Sequence, residues 1–423
     1  MELFAGGGGL VQASTKAGFR HLLLNEFAPR ACETLAANGF ARHEEGARPR
    51  VPEPGEPVPL VAGDVRKLEM EYLAERGVDL LAGGPPCQPF SLGGVARGDE
   101  DQRNMFPEMF RAVREIRPKA VICENVVGLL RPSFSPYFEY IQRELTLPFV
   151  ERPEGVTWQA HDNSLRERIE SGDTDPAKRY DILRMRVNAA DYGVPQIRQR
   201  VILVAFRGDL GVDMAAFEKS VQPTHSKELL IQSLRDGSYW AGHVGVDGKV
   251  RDRVLERYAD ELPFDEPVAS GGGSRSRWLT LRDAIRGLPE IDLNKLDKRT
   301  EQEGWPDHVG WPGARIYTGH TPNELDQPAK TVKAGVHGVP GGESVMLLDK
   351  WEADPLAPGG RRYLHRYMTV REAARVMTFD DTWKLCGPRG ERMRQLGNAV
   401  PVRLGQVFAQ AVSRALDEAE SRA

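Results

Sequence analysis

Short apolar runs alternate with amphipathic stretches along the first 130 residues, each run bounded by Gly, Pro or polar clusters. Leu22-Leu23-Leu24, Val78-Asp79-Leu80-Leu81-Ala82-Gly83, Ala120-Val121-Ile122-Cys123 and, further on, Arg200-Val201-Ile202-Leu203-Val204-Ala205-Phe206 read as buried strands. Continuous apolar runs of this length are what a strand covered on both faces requires. Between them, Leu10, Ala13 and Ala17 share a helical face ending at Gly18, and the stretch from Pro29 to Asn38-Gly39 carries Pro near its start and Gly past its end. Those are helix-terminus signals. The alternation predicts an α/β fold with a doubly wound, mostly parallel sheet, whose ligands sit at the carboxyl ends of the strands.

The pattern breaks at about 131–180, a polar stretch that reads as a surface insertion. Residues 49–59, rich in Pro and Glu, read as an exposed loop. From about 208 to 360 the periodicity is irregular and punctuated by Gly271-Gly272-Gly273-Ser274, Gly304-Trp305-Pro306 and Gly338-Val339-Pro340-Gly341-Gly342. Trp278, Trp305 and Trp311 in that region predict a folded segment, because disordered chains are poor in aromatics. Helical spacing returns at 369–379 and 402–416. A chain of 423 residues exceeds one ordinary core, so two domains are expected.

Composition narrows the class. With 40% hydrophobic and 28% charged residues, and no apolar run near the length of a membrane span, the chain reads as soluble and globular. Met1-Glu2-Leu3 lacks the basic start and apolar stretch of a secretory signal. Cys32, Cys87, Cys123 and Cys386 are scattered without Cys-x-x-Cys spacing, which argues against a disulfide framework or metal site and for a reducing cytoplasm. Net charge is −4, yet residues 361–403 hold ten Lys or Arg against four Asp or Glu. Arg361, Arg362, Arg366, Arg371, Arg375, Arg392 and Arg394 are expected to form a basic surface.

The candidate chemistry starts at Gly84-Pro85-Pro86-Cys87-Gln88-Pro89, where a thiol follows a buried strand in a segment whose prolines forbid helix. Six further strings accompany it in order: Phe4-Ala5-Gly6-Gly7-Gly8-Gly9-Leu10, Asn25-Glu26, Gly63-Asp64-Val65, Glu124-Asn125-Val126, Gln196-Ile197-Arg198-Gln199-Arg200 and Gln395-Leu396-Gly397-Asn398-Ala399-Val400. The set resembles the DNA cytosine 5-methyltransferase family, of the bacterial restriction–modification type, from one terminus to the other. Two positions depart from the family pattern: few apolar residues stand before Phe4, and Phe379-Asp380-Asp381 lacks a proline often found there.

The resemblance implies a function. Carbon 5 of cytosine is a poor nucleophile until a thiolate adds at carbon 6, and Cys87 would supply it. Glu124 would serve ring nitrogen 3 as an acid of raised pKa, Arg200 would contact the flipped base, and Arg198 would support the catalytic loop or the backbone. Gln196, Arg198 and Arg200 face one side if the segment is a strand. The implied methyl donor is S-adenosylmethionine, held by Phe4, Ala5, Gly6, Gly8, Gly9, Glu26 and Phe27. Asp64 and Val65 would bind and cover its adenine, with Gly84, Pro86, Asn398 and Ala399 completing the pocket.

The loop through Gly93-Gly94-Val95-Ala96-Arg97-Gly98 has the glycines of a moving lid, and Thr331-Val332-Lys333-Ala334-Gly335 resembles the family's recognition core. Residues 1–207 with 395–423 would then form the catalytic and cofactor-binding domain, and 208–394 a smaller, irregular target-recognition domain. Double-stranded DNA is the expected substrate of a monomeric cytoplasmic enzyme, with a separate cognate endonuclease as companion. Three rivals are disfavoured, the first being a non-enzymatic DNA-binding relative, which is expected to have lost the Cys87 or Glu124 equivalent. A nicotinamide fingerprint needs glycine where Val11 or Gln12 stands, and tRNA-modifying relatives carry a Cys-Phe-Thr string that is absent.

Overall fold

The computed structural model describes residues 1–86, 104–172, 174–259, 275–298, 301–302, 304–316, 321–334, 344–357 and 360–422. Cys87 and the glycines of the expected lid lie outside the described residues. The chain divides into two units: Met1–Val187 with Gln199–Gln222 and Gly405–Ala423, and Asn188–Arg198 with Pro223–Leu404.

The first unit is built on one sheet. Its elements are β1 (Glu2–Leu3), α1 (Gly9–Lys16), β2 (Leu24–Glu26), α2 (Pro29–Ala37), β3 (Ala41–Glu44), β4 (Pro59–Ala62), β5 (Leu80–Gly83), α3 (Phe106–Ile116), β6 (Ala120–Val126), α4 (Ser135–Thr146), α5 (Trp158–Ser171), β7 (Tyr180–Asn188), β8 (Gln199–Arg207) and α6 (Met214–Ser220). Strand order is β3-β4-β2-β1-β5-β6-β8-β7. The pairs from β3 through to β6 are parallel and β6–β8 is antiparallel. This is the expected doubly wound, mostly parallel sheet. The short β1 is central, lying between β2 and β5, so Met1 and Leu3 enter the main core.

Two expectations need correction here. The run Leu22–Leu24 is only the lead into β2, which starts at Leu24. Residues 135–146 of the supposed surface insertion form α4, whose Tyr137, Phe138, Tyr140, Ile141 and Leu145 are buried in the same core as the strands. Its polar residues occupy the other face, which made an amphipathic core helix look like a loop.

In the second unit follow β9 (His225–Ser226), α7 (Lys227–Arg235), α8 (Ser238–Ala241), α9 (Gly248–Arg257), β10 (Ser276–Arg277), α10 (Leu281–Ile285), β11 (Glu301–Gln302), β12 (Trp305–Val309), β13 (Val345–Ala353), β14 (Arg361–Tyr367), α11 (Val370–Val376) and α12 (Arg389–Asn398); α13 (Val402–Glu420) leads back into the first. The stretch read as irregular therefore holds three helices between 227 and 257, sharing a core of Leu230, Ile231, Leu234, Tyr239, Trp240 and Val250. They run nine, four and ten residues, too short to impose a clear helical period.

Candidate active site

In the first unit the carboxyl ends of β1, β2, β4, β5 and β6 carry most of the predicted residues. After β1 the chain turns sharply, with Phe4 at φ 56°, Gly6 at 54° and Gly8 at 89°. A non-glycine residue in that region is strained by about 1 kcal/mol or more, and Phe4 is held there by the bond from Ala5 N to Asn25 O at 3.1 Å. Gly8 stands at the N-cap of α1 in the left-handed region, where a glycine carries no strain.

Glu26, the last residue of β2, closes this turn. Its Oε2 accepts from Gly6 N and its Oε1 from Ala28 N, both at 2.7 Å. Burial raises its pKa above the ordinary carboxylate value. Beside it Phe27 is 73% exposed, an aromatic face left to solvent at a strand end. Gly9 and Ala5 are buried behind the turn. At the end of β4, Asp64 caps a short turn by accepting from Arg66 N and pairs with the Arg66 guanidinium, which lowers its pKa. Val65, expected to cover an adenine, packs in the core cluster that also holds Leu68 and Met70.

The ends of β5 and β6 are fastened together. Asn125 Nδ2 donates to Pro85 O at 3.1 Å, and a Cβ at Gly84 would stand 3.5 Å from Glu124 Oε2. Glu124 is nearly buried, and Arg200 Nε lies 2.6 Å from its Oε1. The antiparallel register sets Val126 opposite Arg200, so Glu124 and Arg200 are diagonal neighbours on one face. Arg200 Nη1 also donates to Gln199 O at 2.8 Å. The Glu124 carboxyl and Arg200 guanidinium thus lie near Gly84, three positions before Cys87 in the sequence. Two other thiols are unsuited to nucleophilic work: burial pushes Cys32 up to about 12 and Cys123 higher still.

Glu2 is a residue that the sequence reading missed. It is 1% exposed in the middle of the sheet, its Oε2 lacks a hydrogen-bond partner, and His21 Nε2 stands 3.6 Å away. Burial and the nearby Glu26 carboxylate hold its pKa well above normal, opposed by the α-amino group of Met1. The available signal was a lone acid in an otherwise apolar first strand. A cavity of about 300 Å³ lined by Met1, His21, Leu22, Val78 and Leu80 lies at the opposite, amino ends of the strands, away from this chemistry.

In the second unit Gln196 and Arg198 precede β8, so the expected alternation through Arg200 does not extend to them. Arg198 is 1% exposed, and its guanidinium donates to Val332 O at 2.9 Å, Gly397 O at 2.7 Å and Ala399 O at 2.9 Å. These bonds tie residues 188–198 to 395–404 within this unit. Asn398 is exposed at the last position of α12, and Ala399 is buried. The expected basic surface does not form. Arg366 is buried against Glu372 at 2.6 Å, Arg371 is fully buried on the carbonyls of Pro306, Asp380 and Trp383, Arg375 pairs with Asp381, and Arg392 pairs with Asp307. These cations stabilise the unit, leaving Arg361, Arg362 and Arg394 the more accessible members.

Among the described residues no helix is long and apolar enough to cross a membrane, and no cluster of His, Cys, Asp or Glu could hold a metal ion.

Several known proteins resemble this chain along most of its length. The model of the C-5 cytosine-specific DNA methylases matches residues 1–146 and 179–414. A type II methyltransferase of Neisseria gonorrhoeae, M.NgoMIV, is 33% identical over 417 residues, covering 98% of this chain and 97% of the relative. M.PspPI of Psychrobacter sp., also a type II methyltransferase, is 30% identical over 421 residues, covering 99% of this chain and 80% of the relative. Among solved structures, a prophage-encoded DNA modification methyltransferase of E. coli superposes with a TM-score of 0.53 at 20% identity, each chain covered to 98%. The S. pombe Dnmt2 methyltransferase gives 0.51 at 15% identity, with 99% of this chain and 98% of that one covered.

Proposed function

We infer that this chain, which belongs to the C-5 cytosine-specific DNA methylase family, methylates carbon 5 of cytosine in duplex DNA as the modification enzyme of a restriction–modification system, through a covalent adduct with Cys87. The observation that carries the mechanism is the Glu124–Arg200 pair beside Gly84, at the entry to Pro86-Cys87. A base stacked in a duplex cannot reach such a strand-end pocket, so the target cytosine must be extruded, at about a few kcal/mol.

The Cys87 thiolate adds to carbon 6, and the ring electrons move towards nitrogen 3, where Glu124 donates a hydrogen bond or proton. Arg200 orients that carboxyl group, and its guanidinium carries five donors, more than its two partners here use. It can therefore also hold the cytosine carbonyl. Carbon 5, now enamine-like, takes the methyl group as the donor leaves as a neutral thioether; a solvent-borne base then accepts the carbon 5 proton while the C6–S bond breaks, returning the thiolate and the aromatic ring. The donor, S-adenosylmethionine, supplies an electrophilic methyl on a sulfonium.

The residues present fit that donor. Glu26 is braced by Gly6 and Ala28 where ribose hydroxyls can be accepted, and Phe27 offers an aromatic face. Gly8 and Gly9 put no side chain at the start of α1, and Asp64 takes its place on the adenine from the family pattern. Asn398 and Ala399 take their cofactor role from the family pattern. Base-edge recognition falls to the region 208–360, each good contact discriminating by about 1–3 kcal/mol. A separate endonuclease would cut the same site when it is unmodified.

Bisulfite sequencing of DNA from a host expressing only this protein tests the reading. One sequence context protected at nearly every occurrence is expected; fully converted DNA would overturn it.

Glu26→Ala should weaken donor binding by about ten- to a hundredfold, the worth of roughly 1.5–3 kcal/mol of charge-assisted bonds, with a smaller effect on DNA affinity. Because the pKa of Glu26 is raised in the folded protein, its contribution to stability is complete below the unfolded carboxylate value and is lost as pH rises through the folded one. A cationic donor favours the ionised form, so its binding should tighten over that same rise and release a proton. Calorimetry in buffers of different ionisation enthalpy reads both effects. Equal affinity in wild type and variant would remove Glu26 from the site.

A further inference from the structure

We propose that Arg198 and Gly397 join the recognition segment Thr331–Ala334 to the end of α12 that carries Asn398, so that the two move as one element and Arg198 is a positioning residue coupling donor and DNA binding. The proposal rests on the reading that Asn398 contacts the donor.

Three stretches are laced together within the second unit. Ile197 N donates to Ala329 O and Ala329 N to Pro195 O, both at 2.8 Å, while Thr331 Oγ1 donates to Ile197 O at 2.8 Å and Val332 N to Gln196 Oε1 at 3.2 Å. Arg198 then spans the gap: one nitrogen bonds Val332 O and the other bonds Gly397 O and Ala399 O. The contact is close enough that a Cβ at Gly397 would overlap the backbone of Lys333 and Ala334. A backbone that meets another backbone has no side chain to yield, so displacing either segment displaces the other. One planar guanidinium bonding three buried carbonyls is an ordered tether that an ammonium cannot reproduce. Coupling of this kind is reciprocal: whatever Asn398 gains when Thr331–Lys333 meets DNA, the DNA segment gains when Asn398 meets the donor.

Hydrogen exchange of the full chain, with and without S-adenosylhomocysteine, tests it. In wild type the ligand should slow exchange both at 395–400 and at 329–334. Arg198→Met and Gly397→Ala should keep the first protection and lose the second, and Arg198→Lys should retain part of it. Thr331→Val, which removes one bond and no charge, should weaken the transmitted protection and carries the test if Arg198→Met does not fold. Protection at 395–400 alone in wild type, or at both segments in Arg198→Met, would overturn the coupling. No protection at 395–400 would instead overturn Asn398 as a donor contact, and the coupling with it.

Discussion

Cys87→Ser is expected to abolish methyl transfer while leaving donor and DNA binding in place. The thiolate is required only after the base has entered, whereas a serine hydroxyl offers no comparable anion near neutral pH. A loss of at least about a thousandfold in turnover, roughly 4 kcal/mol, is expected in single-turnover assays. A serine variant retaining more than that would rule out covalent catalysis through this residue. Duplexes carrying 5-fluorocytosine should form an adduct that survives denaturation with wild type only, because the fluorine cannot leave as a proton does.

Glu124→Gln should lower the chemical step by about a hundred- to a thousandfold, within the range of a general acid. The amide keeps the shape beside Gly84 but cannot deliver a proton to the ring, and it loses the ionic partner of Arg200. Binding of donor and of duplex should change by less than about tenfold, which separates chemistry from assembly. Should the glutamine variant turn over within about tenfold of wild type, Glu124 would be a strand-end carboxylate holding Arg200 and nothing more.

The sheet was legible because parallel strands covered on both faces must be apolar throughout, as Ala120–Cys123 and Val201–Phe206 are. Strand starts were less so: Asn25 and Glu26 belong to β2, yet polar residues at a functional strand end break the apolar run that marks it. Positions of site residues could be placed on strand ends, but their partners could not. Arg200 meets Glu124 only through the β6–β8 register, and Arg371 reaches Pro306 across 65 positions of sequence. A local excess of arginine therefore looked like a surface, while the acids and carbonyls that consume it stood far off in the chain. Val65 carries a related ambiguity, since an apolar residue after a functional acid reads equally well as ligand cover or as core.

The return of the chain to its first unit governs how the protein can be made. Phe408, Val412 and Leu416 of α13 are buried, and Lys119 pairs with Glu420 at 2.5 Å across three hundred positions of sequence. During synthesis every strand of the sheet and each chemical residue from Cys87 to Arg200 leaves the ribosome before this helix exists. The nascent α/β layer must wait, with apolar surface wet, while the whole second unit is translated. A stop codon just before Gly405 would spare all the chemistry and still yield a chain with an unsealed core, recognisable to proteases as unfinished.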